Sequence, residues 1–514
     1  MYKFLLKSLF IVLLSAIPQL GYCQYFQGLY DVDSSQDWGW NIFIKPDSTY
    51  FIFGTMLNRS FGQWGLFNMQ ISKYGSSILC KNTFKYNEIS LYDGNQGEIK
   101  ILLDGEYLIP FSIQRVYGSQ TRAWSGILKT NKFGDTIFKR TYTDTSFYWD
   151  AMNTCAIMVD KGYALGGLHA HNTPSYYPAY IIRTDSFGDT LWTHTYKNNA
   201  TQFAQIHNIL PLADGRIIVG AISTVEKNPG PNSYYYNTPW YMLLDSMGNI
   251  IRDTLYTTGF QDGGFIYNDL NGGYITMGGL DSLYTTDPID IQNFPSYIAH
   301  LDSNFRTTWI TTFPYTIEDG HREIFLVRQL HDSSYIVLGD KWTNGRPGNL
   351  GWAAKVSKTG NIIWSHSYQS DTIFDSHFRA MVEKPDGSLV FVGTSFNDTL
   401  PRWRQIQDVW LVGTDSNGCE NEFCAPTAVP VVQPLSSSFS LFPNPSNGEF
   451  SINCTLSGAV IIYNMQGQQV GEYKVMAGLN TVRLPVGLSA GLYIVKYMGE
   501  GGRVQVVVRL VYEQ

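Results

Sequence analysis

Apolar and polar residues alternate in short runs along most of this chain, and the stretch Ala179 to Tyr196, AYIIRTDSFGDTLWTHTY, shows the plan that the rest repeats. One alternating run leads into Asp185-Ser186-Phe187-Gly188, and a second leads out to Trp192 and Tyr196. Such alternation predicts half-buried strands. An Asp at the start of the turn accepts backbone amide hydrogens, and a Gly at its end takes the left-handed conformation that closes a short hairpin. The turn therefore fixes the register of both strands. Six other segments follow the plan, with Gly75, Gly134, Gly248, Phe305, Gly360 and Gly418 in the slot of Gly188. In six of the seven an aromatic stands eight residues before the slot: Phe67, Tyr180, Trp240, Tyr297, Trp352 and Trp410. The exception carries Gly126 there, with Trp124 two residues earlier.

Each of these hairpins is preceded by another, in which an apolar run, a polar turn and a second apolar run end near Gly, as in KPDSTYFIFG, LADGRIIVG and KPDGSLVFVG. Seven pairs of hairpins make seven units of four strands. Their period, from Gly54 through Phe111, Gly166, Gly220, Gly278 and Gly339 to Gly393, stays between 54 and 61 residues. Four short strands per unit at a fixed period predict the blades of a β-propeller, with an open solenoid of the same units as the alternative. The ends of the repeat favour a closed ring. The run YFQGLY ends 17 residues before Asp47, much as the fourth strand ending at Tyr196 stands 18 residues before Asp214. The last unit, by contrast, reads CENEFCAP after Gly418, where its fourth strand is due. Residues 24–30 are therefore expected to complete the seventh blade, which removes two exposed sheet edges.

The segment Ala425 to Ser438, APTAVPVVQPLSSS, breaks the repeat with Pro and Ser and reads as a linker. From Phe439 to Gln514, short apolar runs with turns at Asn447-Gly448 and Gln466-Gly467 predict a small immunoglobulin-like β-sandwich. The expected organisation is all-β: a signal peptide at 1–23, a seven-bladed β-propeller over 24–424, a linker over 425–438 and the sandwich over 439–514.

Three motifs in this last segment carry a family resemblance. Phe442-Pro443-Asn444-Pro445 followed by Gly448, the run Ile462 to Gln468 around Gly467, and Leu488 through Gly491-Leu492-Tyr493 resemble the C-terminal sorting domain of type IX secretion cargo from the Bacteroidetes. The resemblance implies that an N-terminal signal takes the chain to the periplasm and that this domain engages the type IX secretion machinery for passage across the outer membrane. Such cargo is released or tethered at the cell surface, commonly after the domain is removed. The seven upstream units resemble the propeller repeats found in such cargo.

Composition changes the picture little. Charged residues are only 15% of the 514, aromatics also 15%, and 48 glycines suit short strands with many turns. A net charge of −7 without a basic cluster argues against a nucleic-acid partner. At the N-terminus Lys3 and Lys7 precede the apolar run Ser8 to Ile17 and the small residues around Gly21, the order of a secretory signal peptide cut between Cys23 and Gln24. Tyr22 stands where a lipobox has Gly or Ala, so Cys23 is read as part of the cleavage site. No later run is long and apolar enough to cross a bilayer as a helix. Cys419 and Cys424 stand close enough to form a disulfide in an oxidising compartment, with two free thiols as the alternative. Cys80, Cys155 and Cys454 sit singly in apolar strand patterns and read as core residues.

Candidate chemistry is sparse, and no catalytic residue, cofactor or metal set is expected. The chain has no zinc-protease, P-loop, nucleophile-elbow or dinucleotide motif. The turn DSFGDTLW resembles the Asp box of sialidases with one extra residue between Asp185 and Gly188. That resemblance implies, as a second reading, a glycan-acting hydrolase needing paired carboxylates and a Tyr or Arg cluster. His169-Ala170-His171 reads as the start of an exposed loop rather than a metal site, and Asp31-Val32-Asp33 with Asp37 as a polar connection. Ligand-binding candidates lie in long loops rich in aromatics and amides: Tyr176 and Tyr177 in one, and Tyr234, Tyr235, Tyr236 and Trp240 in another. Flat rings beside amides suit an extracellular glycan or protein ligand. The expectation is a secreted or surface-attached binding or adhesion module.

Overall fold

The hairpin turns adopt the backbone that their sequence requires. In the computed structural model φ is +65° at Gly75, +80° at Gly188, +86° at Gly248 and Gly360 and +76° at Gly418. Phe305, in the same slot, also has positive φ, 63°. Its ring is buried against Tyr241 and Tyr274, and this packing offsets the strain of a side chain in the left-handed region. The preceding Asp does what the pattern asks: Asp185 Oδ1 accepts the amides of Phe187 (2.8 Å) and Asp189 (2.9 Å). The structure describes the strands and tight turns between residues 25 and 512. Residues 1–24, 422–438 and 513–514, and most longer connections, among them 85–98, 172–176, 228–233, 281–294, 314–320 and 397–406, lie outside the described residues.

The chain divides into two compact units, Met1–Ala428 and Val429–Gln514. The first is a seven-bladed β-propeller. Blades four, five and six are separate four-stranded antiparallel sheets in sequence order, such as Ala204–Pro211, Ile217–Lys227, Tyr234–Leu244 and Ile250–Leu255. Blades two and three touch through one parallel bridge, Trp149 to Ala123, and blades seven and one through another, Gln36 to Gln407. Blade seven takes its fourth strand from the start of the chain. Phe26–Tyr30 pairs antiparallel with Gln407–Thr414, with Phe26 opposite Gly413 and Tyr30 opposite Val409.

Apolar side chains pack between neighbouring blades all the way round. Blades one and two share a buried cluster with Phe53 and Ile109, two and three one with Leu108 and Leu165, and three and four one with Ile181 and Val219. Blades four and five meet at Ile218 and Ile266, five and six at Ile298 and Val337, six and seven at Leu338 and Phe391. The ring closes where Val392 of blade seven packs with Ile52 of blade one. Polar latches accompany this packing. Tyr142, Tyr196 and Tyr368 each end a fourth strand and donate to the carbonyl of Gly188 (2.9 Å), Gly248 (2.8 Å) and Gly418 (2.7 Å) in the next blade. Tyr30 donates likewise to Gly75, so the first strand is latched as the others are.

The second unit has seven described strands in two sheets. Phe439–Phe442, Glu449–Cys454 and Gly478–Arg483 form one, and Gln469–Val475, Gly458–Tyr463, Gly491–Gly499 and Val504–Tyr512 the other. Phe450, Ile452, Val460, Ile462, Val495 and Leu510 fill the space between them. Of the motif residues, Gly448 has φ +102°, and Tyr493 is buried with its hydroxyl donating to the Ser489 carbonyl at 2.7 Å. Gly491 opens the long strand Gly491–Gly499. Pro443, Asn444, Pro445 and Gly467 lie outside the described residues.

Several sequence expectations change here. Cys155 and Cys454 are buried, but Cys80 is exposed, because it sits on the outermost strand of blade one, Ile78–Phe84. His169 is no loop residue. It lies inside the strand Tyr163–His171, is 3% exposed and stacks on Tyr180 at 4.6 Å.

Candidate functional site

The first strands of six blades, all but the second, share an irregularity. Antiparallel pairing with the second strand skips Trp40 in blade one, Asn153 in blade three, His207 in blade four, Phe325 in blade six and Arg379 in blade seven. In blade five the skip widens to the residues between Gln261 and Phe265. An extra residue in one strand bends the strand and re-aims a side chain. Trp40, His207, Phe325 and Arg379 line one cavity of about 300 Å3, together with residues from the first strands of blades two and five.

Arg379 sits at the centre of this arrangement. Its guanidinium carbon is 3.8 Å from the centre of the Phe325 ring and 5.8 Å from that of Trp40. Its Nη1 is buried and makes no hydrogen bond, but it stands in an ion pair with Asp340 Oδ2. That pair, at 3.7 Å, is too long for a hydrogen bond. Across the cavity, His207 is 4.5 Å from Phe265, and Phe265 and Tyr267 are parallel within 3°. Burial pushes the His207 imidazole down to about 4, against the smaller effect of its hydrogen bond to the Gly263 carbonyl, so the ring is neutral at neutral pH. A carbonyl only accepts, so Nδ1 carries the proton and Nε2 is left as an acceptor.

Two carboxylates share one imidazole beside Arg379. His377 Nδ1 donates to Asp340 Oδ2, and His377 Nε2 lies 3.3 Å from Asp375 Oδ1. Burial disfavours the imidazolium, but the Asp340 charge and the hydrogen bonds to Asp340 and Asp375 outweigh it and raise the His377 pKa to about 9. The two carboxylates therefore face a cation. Asp375 also accepts the Asn349 amide at 2.5 Å, which ties it to the backbone of blade six.

A second acidic group lies between blades seven and one. Ligand atoms of Asp31, Asp37 and Asp408 fall within 4.8 Å of one another. Asp37 is fully buried and accepts the Val32 amide at 2.8 Å, as suits the polar connection expected at residues 31–37. Asp408 was not visible as its neighbour from sequence, since it arrives from the far end of the repeat. Burial first, and the Asp31 charge second, push the Asp408 carboxyl up to about 6.

The loops expected to hold ligand look different in the structure. Tyr234, Tyr235 and Tyr236 belong to the strand Tyr234–Leu244 and pair with Lys227, Glu226 and Val225, so this segment is a long hairpin arm. Trp240 corrects the expectation. It is 1% exposed, belongs to the core between blades three and four, and donates Nε1 to Asp253 Oδ2 at 2.8 Å. Tyr177 packs its ring 6.3 Å from Phe203 across an isolated bridge, and Tyr176 lies outside the described residues. Cys419 is buried and disulfide-bonded, while Cys424 lies outside the described residues. The channel residues escaped the sequence reading because each bulge shifts the alternation by one residue within the strand that carries it.

Residues 440–512 match the family described as the secretion system C-terminal sorting domain. No curated protein matches the chain. Similar solved structures include PorZ, an essential surface component of the type IX secretion system of Porphyromonas gingivalis, at 10% identity over 91% of this chain and 69% of that one, TM-score 0.29. The β-propeller domain of the Trilobed protease from Pyrococcus furiosus matches at 9% identity over 79% of this chain and 99% of that one, TM-score 0.36. An α-L-arabinanase of Penicillium chrysogenum matches at 11% identity over 62% of this chain and 92% of that one, TM-score 0.39. Likenesses at these levels carry no argument about ligand or reaction. No helix among the described residues is long and apolar enough to cross a membrane.

Proposed function

We propose, for this cargo of type IX secretion with a propeller fold, that the propeller is a non-catalytic binding module whose ligand enters the central channel. The observation that carries the reading is Arg379, which lines a cavity walled by aromatic rings and whose ion pair with Asp340, at 3.7 Å, is no hydrogen bond. A guanidinium carries five N–H donors, so Arg379 has donors to offer a ligand acceptor in the cavity. Residues 1–23 direct the chain to the periplasm of a Bacteroidetes cell. The tail, with Pro443, Asn444, Pro445, Gly448, Gly467, Gly491 and Tyr493 as its motif residues, then engages the type IX machinery, and the propeller acts at the cell surface or beyond it. A Cys419–Cys424 disulfide suits that oxidising route. Tyr176, Tyr177, Tyr234, Tyr235 and Tyr236 are the remaining candidates for ligand contact.

One observation favours a second reading, an extracellular glycan-acting hydrolase: Asp340 and Asp375 approach one imidazole next to the cavity. Against it, both carboxylates are paired with the protonated His377. Acid catalysis on a glycosidic bond instead needs a carboxyl that is protonated and aimed at the substrate. The test is to present the full chain with a panel of glycans and peptides and follow binding and product together. Saturable binding without product supports the module, and product formation abolished by Asp340→Asn or Asp375→Asn establishes the hydrolase.

A further inference from the structure

The channel cavity defines the charge of what fits it. Three cations, Lys100, Arg328 and Arg379, are among its described lining residues, and no carboxylate is. This contrasts with a net charge of −7 for the whole chain. Arg379 is fixed by its contact with Phe325, and Asp340, the carboxylate nearest to it, already accepts a hydrogen bond from His377. A guanidinium is a planar fork that matches a carboxylate or sulfate in bidentate fashion. Phe265 and Tyr267, parallel within 3° with ring centres 6.5 Å apart, put two stacked aromatic rings on the blade-five wall. The C–H face of a sugar ring packs on an aromatic ring, and the Nε2 acceptor of His207 receives a hydroxyl hydrogen. A volume of about 300 Å3 is at the small end for a ligand site and holds the end of a chain rather than its length.

We propose that the channel binds an acidic saccharide, with Arg379 holding the anionic group of a terminal sugar and the aromatic wall packing on its ring. The proposal rests on the binding-module reading and adds the ligand class to it. An acidic peptide satisfies the charge but leaves the aromatic wall without a ring to pack.

The experiment is calorimetric titration of the full chain with trigalacturonate, a sulfated chondroitin disaccharide, the methyl ester of trigalacturonate and tetraglutamate. The acidic saccharides are expected to bind saturably, with the ester and the peptide weaker by roughly tenfold or more. Arg379→Gln is expected to remove that preference and Arg379→Lys to retain part of it, with melting temperatures confirming that both variants fold. Preference for trigalacturonate or for the sulfated sugar identifies the anionic group as carboxylate or sulfate, and either supports the proposal. Equal binding of the ester, unchanged binding by Arg379→Gln, tighter binding of tetraglutamate, or no binding of either acidic saccharide overturns it. Binding of neutral glycans alone overturns the acidic ligand and leaves the module reading standing. Cleavage of trigalacturonate with Arg379-dependent affinity does the reverse.

Discussion

The Arg379 guanidinium carbon lies 3.8 Å from the centre of the Phe325 ring, and each of the two is the residue skipped in the first strand of its blade. The contact is therefore a product of the repeat. The same bulge in neighbouring blades brings equivalent positions together across the channel wall, and the sequence places a cation at one and an aromatic at the other. Trp40 and His207 hold the equivalent positions in blades one and four. The candidate ligand contacts thus sit at bulges on paired strands, where the proposed binding needs little ordering of the chain.

The one departure from the aromatic pattern has a simple cause. In blade one Gly54 pairs with Phe67, and a Cβ at Gly54 would lie 2.2 Å from the Phe67 ring. In blade two the pair is exchanged between strands: Phe111 faces Gly126, and a Cβ there would lie 2.3 Å from the Phe111 ring. Gly126→Ala is expected to destabilise the propeller by about 1–3 kcal/mol through overpacking. Adding Phe111→Leu should recover part of the loss in chemical denaturation. An additive double variant would refute the pairing.

His377 makes stability depend on pH in the alkaline range. Its pKa is raised to about 9 in the folded chain from an ordinary 6.5, so the stabilisation is fully present below pH 6.5 and is lost as pH rises through 9. Wild type should lose about 1–3 kcal/mol more than His377→Gln between these limits in urea denaturation. Parallel pH profiles for the two would remove the ion-paired role of His377.

Asp408 acts in the opposite sense at lower pH. Its carboxyl is raised to about 6 from 3.8, so ionisation costs the folded chain stability as pH rises from 3.8 through 6. Asp408→Asn should therefore stabilise the propeller at pH 7.5 and change it little at pH 4, read as a melting temperature. Asp31→Asn should give a smaller gain of the same sign. A loss of stability at pH 7.5 in Asp408→Asn would contradict this account.

The cysteines separate by accessibility. Among the described free thiols, Cys80 is exposed and Cys155 and Cys454 are buried. Brief alkylation of the folded, unreduced chain should modify Cys80 and spare the other two, and digestion without reduction should release a peptide joining Cys419 to Cys424. A mass spectrum with Cys424 alkylated would exclude that pair.

The architecture was legible because it is written many times. Turn residues such as Gly188, Gly248 and Gly360, with the aromatic eight positions earlier, impose one local geometry, and both elements appear at the expected places. The tail was legible through its motifs. The channel site was not. It is composed of single residues from different blades, Trp40, His207, Phe325 and Arg379, at bulges that interrupt the alternation on which strand reading depends. Trp240 shows the converse error. An aromatic beside a loop rich in Asn and Tyr looked available to ligand, yet its place in the repeat commits it to the core between blades.

The central claim is that the propeller binds through its channel without chemistry. The most direct measurement follows trigalacturonate on one sample of full chain for both heat of binding and released sugar, in wild type and Arg379→Gln. The account predicts saturable binding in wild type, its loss by roughly tenfold or more in the variant, and intact trisaccharide throughout. Released monosaccharide or disaccharide, with turnover lost in Asp340→Asn or Asp375→Asn, would contradict it and make the carboxylates around His377 catalytic.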